Sequence, residues 1–322
     1  MCPKVSVVIP TKNRANYLSS AIQSVLRQTF KDLEIIVVDG ASTDNTKVVS
    51  KFADKRIRYV HQKKDRGQSA SRNLGIKCSR GKFIAFLDDD DLWMPTKLER
   101  QLKIISKNPK IGLVCTGALV FENNSKILGS RIPDRKGNIF PDILKRNYIG
   151  NCSSVLIKKE CLDKVGLFDE NLKVCEDFDL WIRLTKYYEI DYLQEPLILL
   201  RLHEKRISTD IDRILRTNKS LFKKYVKDLR KLQKIRGFWH YRFGRLYCKC
   251  GKAAEGRKEF MKAIGNNPFS IMYYVSLLAS LFGPKMYKIL VTHSVSMLPT
   301  SFLMQIGITD QLGLYMHATK CR

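Results

Sequence analysis

The first half of the chain alternates short, continuous apolar runs with stretches of helical spacing. Val5-Ser6-Val7-Val8-Ile9 predicts a first strand, Ala15–Arg27 a helix with Leu18, Ile22, Val25 and Leu26 on one side, and Glu34–Val38 a second strand. Together they make a βαβ unit. Arg56–His61 reads as a third strand and Gly67–Lys77 as a short helix. After Gly81 the run Phe83-Ile84-Ala85-Phe86-Leu87 ends abruptly in Asp88-Asp89-Asp90-Asp91, before a helix expected over Pro95–Gln101. A continuous apolar run of this length suits a central parallel strand covered on both faces.

Two strands thus end in acids on one edge of a sheet, at Asp39 and at Asp88–Asp91. Open α/β sheets bind ligands beyond the carboxyl ends of their strands. Four adjacent acids repel one another, and a hard divalent cation such as Mg²⁺ or Mn²⁺ relieves that repulsion. Mg²⁺ usually takes one or two protein carboxylates plus substrate phosphates, which points to a phosphorylated donor. The same acids also read as a solvated turn capping the next helix, and Asp39 alone as an ordinary helix cap. No Gly-x-Gly-x-x-Gly or Gly-x4-Gly-Lys-Ser/Thr loop is present, so a dinucleotide or P-loop site lacks its phosphate cradle. A third acidic group, Glu176-Asp177, opens a helix whose Leu180, Trp181 and Leu184 share one face. Acids there are stabilised by the helix dipole, so a structural role and a chemical one both remain open.

Length changes the picture first. The 322 residues, 44% of them hydrophobic, suffice for one ordinary domain and a smaller one. The nine cysteines are scattered without a zinc spacing, which fits a reduced, cytoplasmic compartment. Lys4 precedes an apolar run of only six residues, Val5–Pro10, too short and wrongly flanked for a signal peptide, so the mature chain is expected to begin here. The net charge is +27, and residues 201–322 hold 24 Lys/Arg against 7 Asp/Glu. Such a surface seeks polyanions, either nucleic acid or an anionic membrane.

Ile211–Arg236 reads as one basic amphipathic helix, with Ile214, Leu215, Leu221, Phe222, Tyr225, Val226, Leu229 and Leu232 between ten basic residues. Phe243-Gly244, Tyr247, Phe260, Ala263 and Pro268 fall at the offsets of a single tetratricopeptide-like helical hairpin, with Gly256 where that pattern usually has Ala. Phe269–Gly283 carries no charge but is only 15 residues long, below the roughly 17–25 needed to cross a bilayer. Ile289–Thr309 is also free of Lys, Arg, Asp and Glu, yet Pro299 and several Ser/Thr interrupt it. Both runs suit either a peripheral seat on the inner face of the cell membrane or packing inside a helical C-terminal region.

Five motifs in order resemble the family 2 glycosyltransferases of the GT-A fold: Val5 to Arg14, Val37 to Asp44, Gly67-Gln68-Ser69-Ala70-Ser71-Arg72-Asn73, Leu87 to Trp93, and Glu176-Asp177 before Leu180-Trp181. Gly166-Leu167-Phe168-Asp169-Glu170 is similar to the segment before that family's catalytic acid, and Arg201-x-His203 to its closing loop. The resemblance covers roughly the first 205 residues. It implies an α/β, Rossmann-like GT-A nucleotide-diphospho-sugar transferase domain over residues 1–210 and a basic, helical region over 211–322.

The resemblance also implies roles. Asp39 would bind the donor's base, typically the uracil N3-H, with Thr11 and Arg72 nearby on the nucleotide. Asp88 and Asp90 would be the outer members of an Asp-x-Asp motif that holds Mg²⁺ or Mn²⁺, Asp90 being the favoured ligand and Asp88 or Asp89 touching ribose. Asp177 would take the proton of the acceptor hydroxyl, giving inversion in one displacement, and His203 would meet the diphosphate or metal. Many members carry Asp-Asp-Gly-Ser where this chain has Asp39-Gly40-Ala41-Ser42, which weakens inference about the donor. Nothing in Ile127–Asn151 specifies a particular acceptor, so the expectation is a saccharide or lipid-linked hydroxyl. A nucleotidyltransferase acting on a sugar phosphate would also join nucleotide, metal and strand-end acids. A nucleic-acid-binding protein rests on charge alone, with no recognised module. A paired-carboxylate glycosidase needs neither metal nor nucleotide.

Overall fold

The computed structural model describes residues 2–46, 52–122, 126–202, 210–283 and 287. Two compact units emerge, Met1–Ile143 with Asn147–Glu204 and Leu144–Arg146 with Lys205–Arg322. His203 and the apolar run Ile289–Thr309 lie outside the described residues.

The first unit is built on β1 (Val5–Thr11), whose seven residues are all buried. It pairs in parallel with β2 (Leu33–Asp39) on one side and with β4 (Phe83–Phe86) on the other. The helix α1 (Ala15–Leu26) buries Leu18, Ala21, Ile22 and Val25, the apolar stripe expected from its spacing. Beyond β2 lies β3 (Ile57–His61), a half-exposed edge strand. The chain therefore lays β2 and β3 on one side of β1 and returns to place β4 on the other. That reversal is a topological switch point, where the carboxyl ends of neighbouring strands open a crevice.

Next to β4 the sheet becomes mixed. β5 (Leu92–Trp93), β6 (Ile111–Glu122), β7 (Ile127–Arg131), β8 (Leu156–Lys158) and β9 (Glu189–Leu202) complete nine strands in the order β3-β2-β1-β4-β8-β6-β9-β5, with β7 on β6. The acidic residues lie in a turn after β4, in which the Asp91 amide donates to the Asp88 carbonyl at 3.0 Å. The next helix, α3, runs Lys97–Ile105, starting later and ending later than Pro95–Gln101.

α2 (Gln68–Cys78) buries a polar face that includes Arg72 and Asn73. It approaches β1 through Gly75, where a Cβ would fall 2.3 Å from Val8 Cγ1. Asn73 clasps the backbone of Phe168, donating to its carbonyl and accepting from its amide, each at 2.9 Å. The Gly166–Glu170 segment is thereby fastened to α2, between α4 (Lys159–Val165) and α5 (Glu176–Thr185).

The second unit is helical: α6 (Ile211–Lys224), α7 (Val226–Leu229), α8 (Gln233–Lys249), α9 (Ala253–Asn266) and α10 (Ile271–Ala279). The expected single helix over Ile211–Arg236 is three pieces. Tyr225 (φ −100°) and Leu232 (φ −116°) leave helical geometry, and across the breaks Tyr225, Leu229 and Phe238 are buried while Val226 is exposed. Asp210 caps α6 by accepting from the Arg213 amide at 2.9 Å. α8 and α9 form the expected hairpin, closed at a small-residue contact: Cβ atoms at Gly244 and Gly256 would lie 2.5 Å from the Phe260 ring and Cys248 Sγ. A larger residue at position 256 would force the pair apart. Ile271, Tyr274, Val275 and Leu278 leave one face of α10 exposed and apolar. No helix among the described residues is long and apolar enough to cross a membrane.

Candidate active site

The strand ends at the switch point carry the candidate residues. Thr11 closes β1, Asp39 closes β2 in register beside it, and the Gly40 amide donates to the Thr11 carbonyl at 2.9 Å. Across the seam, Thr11 Oγ1 donates to Asp89 Oδ2 at 2.8 Å.

The acids of the Asp88–Asp91 turn divide among different partners, with Asp89 and Asp90 sharing Arg14. Asp88 accepts from Arg72 Nη2 at 2.7 Å. Asp89 accepts from Thr11 and from Arg14 Nη1, the latter at 3.0 Å, and Asp90 from the same Arg14 nitrogen at 2.8 Å. Asp91 is structural: it accepts from Ser153 Oγ at 2.7 Å, Asn151 Nδ2 at 3.2 Å and the Arg201 amide at 3.2 Å, tying the turn to β9. Burial pushes Asp89 up to about 7, against the opposing pull of Arg14 and Thr11.

Arg72 is buried and bridges two parts of the site, its Nη1 donating to Glu176 Oε1 at 2.7 Å. Glu176 and Asp177 form the first turn of α5, and Cys175 before them adopts a left-handed conformation (φ 58°). Asp177 accepts from the Phe178 amide at 2.6 Å. Burial, then the neighbouring Glu176 carboxylate, lift the Asp177 pKa above the ordinary carboxylate range.

Asp39 is also enclosed. It accepts from the Ser42 amide at 2.9 Å and from the Tyr59 hydroxyl, with His61 Nδ1 at 3.3 Å. Burial opposes ionisation of Asp39, but the hydrogen bonds from Ser42, Tyr59 and His61 outweigh it and hold the pKa low. Among the described residues the non-glycine positive φ angles are at Asn13, Ala41 and Cys175, which follow β1, follow β2 and precede α5. Such strain gathers where a fold over-determines a site.

Thr11, Arg14, Asp89 and Asp90 thus form one hydrogen-bonded group and Arg72, Asp88 and Glu176 a second; the two are joined through the Asp88-Asp89 backbone, and Asp39 stands at the adjoining strand end. Arg14, Tyr59 and His61 complete the arrangement and were not singled out above. The register that sets Asp39 beside His61 is a signal for the last two; Arg14 is signalled by following a strand end that faces acids.

Donors for a hard cation are present: Asp89 and Asp90 oxygens already converge on one cationic nitrogen. Among the described residues no three His, Cys, Asp or Glu side chains gather as a cage.

Solved structures share this architecture. The first 349 residues of Staphylococcus aureus TarS superpose with a TM-score of 0.63 at 17% identity, over 89% of this chain and 90% of that one. The mannosyltransferase PcManGT from Pyrobaculum calidifontis does so with 0.61 at 18%, over 97% and 88%. The fold is GT-A. The sequence profile of glycosyl transferase family 2 matches residues 6–163. An uncharacterized glycosyltransferase of Rickettsia prowazekii (strain Madrid E) is 34% identical over 241 residues, 72% of this chain and 74% of the relative. The Escherichia coli UDP-Glc:alpha-D-GlcNAc-diphosphoundecaprenol beta-1,3-glucosyltransferase WfgD is 33% identical over 209 residues, 64% and 80% respectively. The chain belongs to the family 2 glycosyltransferases.

Proposed function

We propose that this enzyme transfers a sugar, with inversion, from a UDP-sugar to a hydroxyl of a saccharide or lipid-linked acceptor in cell-surface polysaccharide or glycolipid synthesis. The observation that carries this reading is the contact chain from Thr11 through Asp88–Asp90 to Arg72 and Glu176. It joins an acid-lined nucleotide edge to the helix start that bears Asp177.

In this reading Asp177 takes the acceptor's proton while the hydroxyl oxygen bonds to the anomeric carbon and the bond to the nucleotide diphosphate breaks. A base with a raised pKa suits that task near neutral pH. Asp39, kept ionised by its donors, accepts from the base N3-H. Asp88 or Asp89 faces the ribose, and Arg72 acts by holding Asp88 and Glu176 in place rather than by touching the nucleotide. Thr11 orients Asp89. A Mg²⁺ or Mn²⁺ ion held by Asp90, with Asp88 or Asp89 beside it, would neutralise charge on the leaving diphosphate.

Related proteins support the donor and acceptor classes. PcManGT has been solved with GDP-Man and Mn²⁺, and TarS with UDP and with UDP-GlcNAc. WfgD is named for a UDP-Glc donor and a diphosphoundecaprenol acceptor. A lipid-linked acceptor places the enzyme at the cytoplasmic face of the membrane, and the apolar face of α10 beside a basic helical unit suits an anionic lipid surface. Failure to sediment with phosphatidylglycerol vesicles would remove that part.

The donor site is tested by thermal shift. A ligand bound only by the folded state raises stability by mass action. UDP is expected to raise the melting temperature, and more so with Mn²⁺; no shift from any nucleoside diphosphate at millimolar concentration overturns the reading.

A further inference from the structure

We propose that Arg14 is a displaceable counter-cation of the Asp89–Asp90 pair, held on the oxygens that a divalent cation takes, so that the cation enters only as Arg14 lets go. This rests on the metal part of the function proposed above.

The geometry sets up the competition. A single nitrogen, Arg14 Nη1, lies 3.0 Å from Asp89 Oδ1 and 2.8 Å from Asp90 Oδ2. The other Asp89 oxygen accepts from Thr11. A cation that binds through Asp89 Oδ1 or Asp90 Oδ2 therefore shares an oxygen the guanidinium already holds. Two cations sharing an oxygen sit within a few ångströms and repel strongly in a buried setting.

Mobility differs between the partners. Asp89 and Asp90 are buried, whereas the Arg14 side chain is 24% exposed and can leave toward solvent. Its backbone is fixed: the Arg14 carbonyl accepts from the Tyr17 and Leu18 amides at 3.0 and 3.1 Å, and the preceding Asn13 amide donates to Ser42 Oγ at 2.9 Å. The side chain is thus the part free to move. Arg72 contrasts with it, since its terminal nitrogens are buried between Asp88 and Glu176.

Electrostatics favour the exchange. One guanidinium charge is shared between the two acids of the pair. A divalent ion brings two charges to the same oxygens. Release also frees Arg14, a planar donor suited to phosphate oxygens, beside the edge where the diphosphate is expected.

The test is Mn²⁺ titration without nucleotide, read by loss of the free-ion electron paramagnetic resonance signal, on wild type, Arg14→Gln and Arg14→Lys. Losing a charge-assisted competitor should tighten Mn²⁺ binding by Arg14→Gln roughly tenfold or more. Arg14→Lys keeps the charge on a side chain one bond shorter, which sets its ammonium back from the two carboxylates, so it should fall between the two. A second readout is melting: Arg14→Gln should unfold at lower temperature than wild type when metal-free, and Mn²⁺ should raise its melting point by more. Equal or weaker Mn²⁺ affinity in folded Arg14→Gln overturns the proposal while leaving the metal site intact. If Arg14→Gln does not fold, failure of Arg14→Lys to bind more tightly than wild type overturns it equally. No Mn²⁺ binding by any of the three at millimolar concentration removes the metal reading and this exchange with it.

Discussion

Arg72 donates to Glu176 at 2.7 Å from a helix that precedes the acidic turn, and both side chains are largely withdrawn from solvent. Because the other arm of Arg72 holds Asp88, the start of α5 is positioned by the same group that positions the acids after β4. Asp177, next along α5, has a fixed relation to the nucleotide edge without belonging to it. Asp177→Asn should therefore leave UDP affinity nearly unchanged while turnover falls on the order of 10²-fold or more, about 2.7 kcal/mol in the barrier. Asn is itself a good residue for a helix start, so the fold should persist. Near-normal transfer by the folded variant would eliminate Asp177 as the base.

The raised pKa of Asp177 gives that role a pH signature with a definite sign. Only the carboxylate form accepts a proton, so kcat/KM should rise with pH through a pKa above the ordinary value of about 4. The stability effect runs the other way. Between the unfolded and the raised folded pKa the native state binds more protons, so stability from this group is lost as pH rises through that window. Asp177→Asn should thus match wild type in stability at the acid end and exceed it at pH 8. Denaturant midpoints across pH 4–8 measure this, and a difference that does not grow with pH would contradict it.

The parallel half of the fold was legible because its strands are short, continuously apolar and punctuated by acids or glycine, and the core requires that pattern on both faces of β1 and β2. Boundaries shifted where tertiary contacts decided them: Lys97 enters a helix start that apolar spacing alone placed two residues earlier. The long basic stretch after 210 misled because one helical period fitted it throughout, and only packing shows where the chain must bend. In the site, acids could be located but not sorted. Asp91 is spent on Ser153 and a β9 amide, a contact between distant segments that no local spacing encodes. The polar face of α2 likewise gains meaning only once Phe168 and Glu176 arrive beside it.

Gly75 offers a test of how closely α2 must lie on β1. An alanine in an open helix usually gains about 0.5–1 kcal/mol over glycine. Here its Cβ would sit 2.3 Å from Val8 Cγ1 and 3.0 Å from Cγ2, with Val8 fully buried. Gly75→Ala should therefore destabilise by about 1–3 kcal/mol. It should lower activity as well, since the helix that moves carries Arg72. Adding Val8→Ala should recover part of the loss relative to Val8→Ala alone, the coupling expected of neighbours. Additive losses in that cycle would mean that α2 and β1 do not meet at this contact.

Lys97 supplies a prediction independent of catalysis. It is fully buried at the start of α3, its Nζ donating to Gln101 Oε1 at 2.8 Å and lying 4.1 Å from the centre of the Trp93 ring. Burial pushes its pKa well below the ordinary lysine value, and the Cys115 thiol beside it, itself pushed up to about 12 by burial, is neutral and brings no countercharge. Between the depressed folded pKa and the ordinary value of about 10.4, the unfolded chain holds a proton that the native state lacks. Stability from this group therefore rises with pH across that window, by about 1.4 kcal/mol per unit where the difference is a full proton. Lys97→Met retains the length and removes the titration. Urea unfolding of both proteins at pH 7, 8 and 9 should show wild type gaining on the variant as pH rises, by up to about that amount per unit, with sugar transfer unaffected. Parallel curves would mean that Lys97 keeps its proton in the core, and the ring of Trp93 would then have to be stabilising a buried cation.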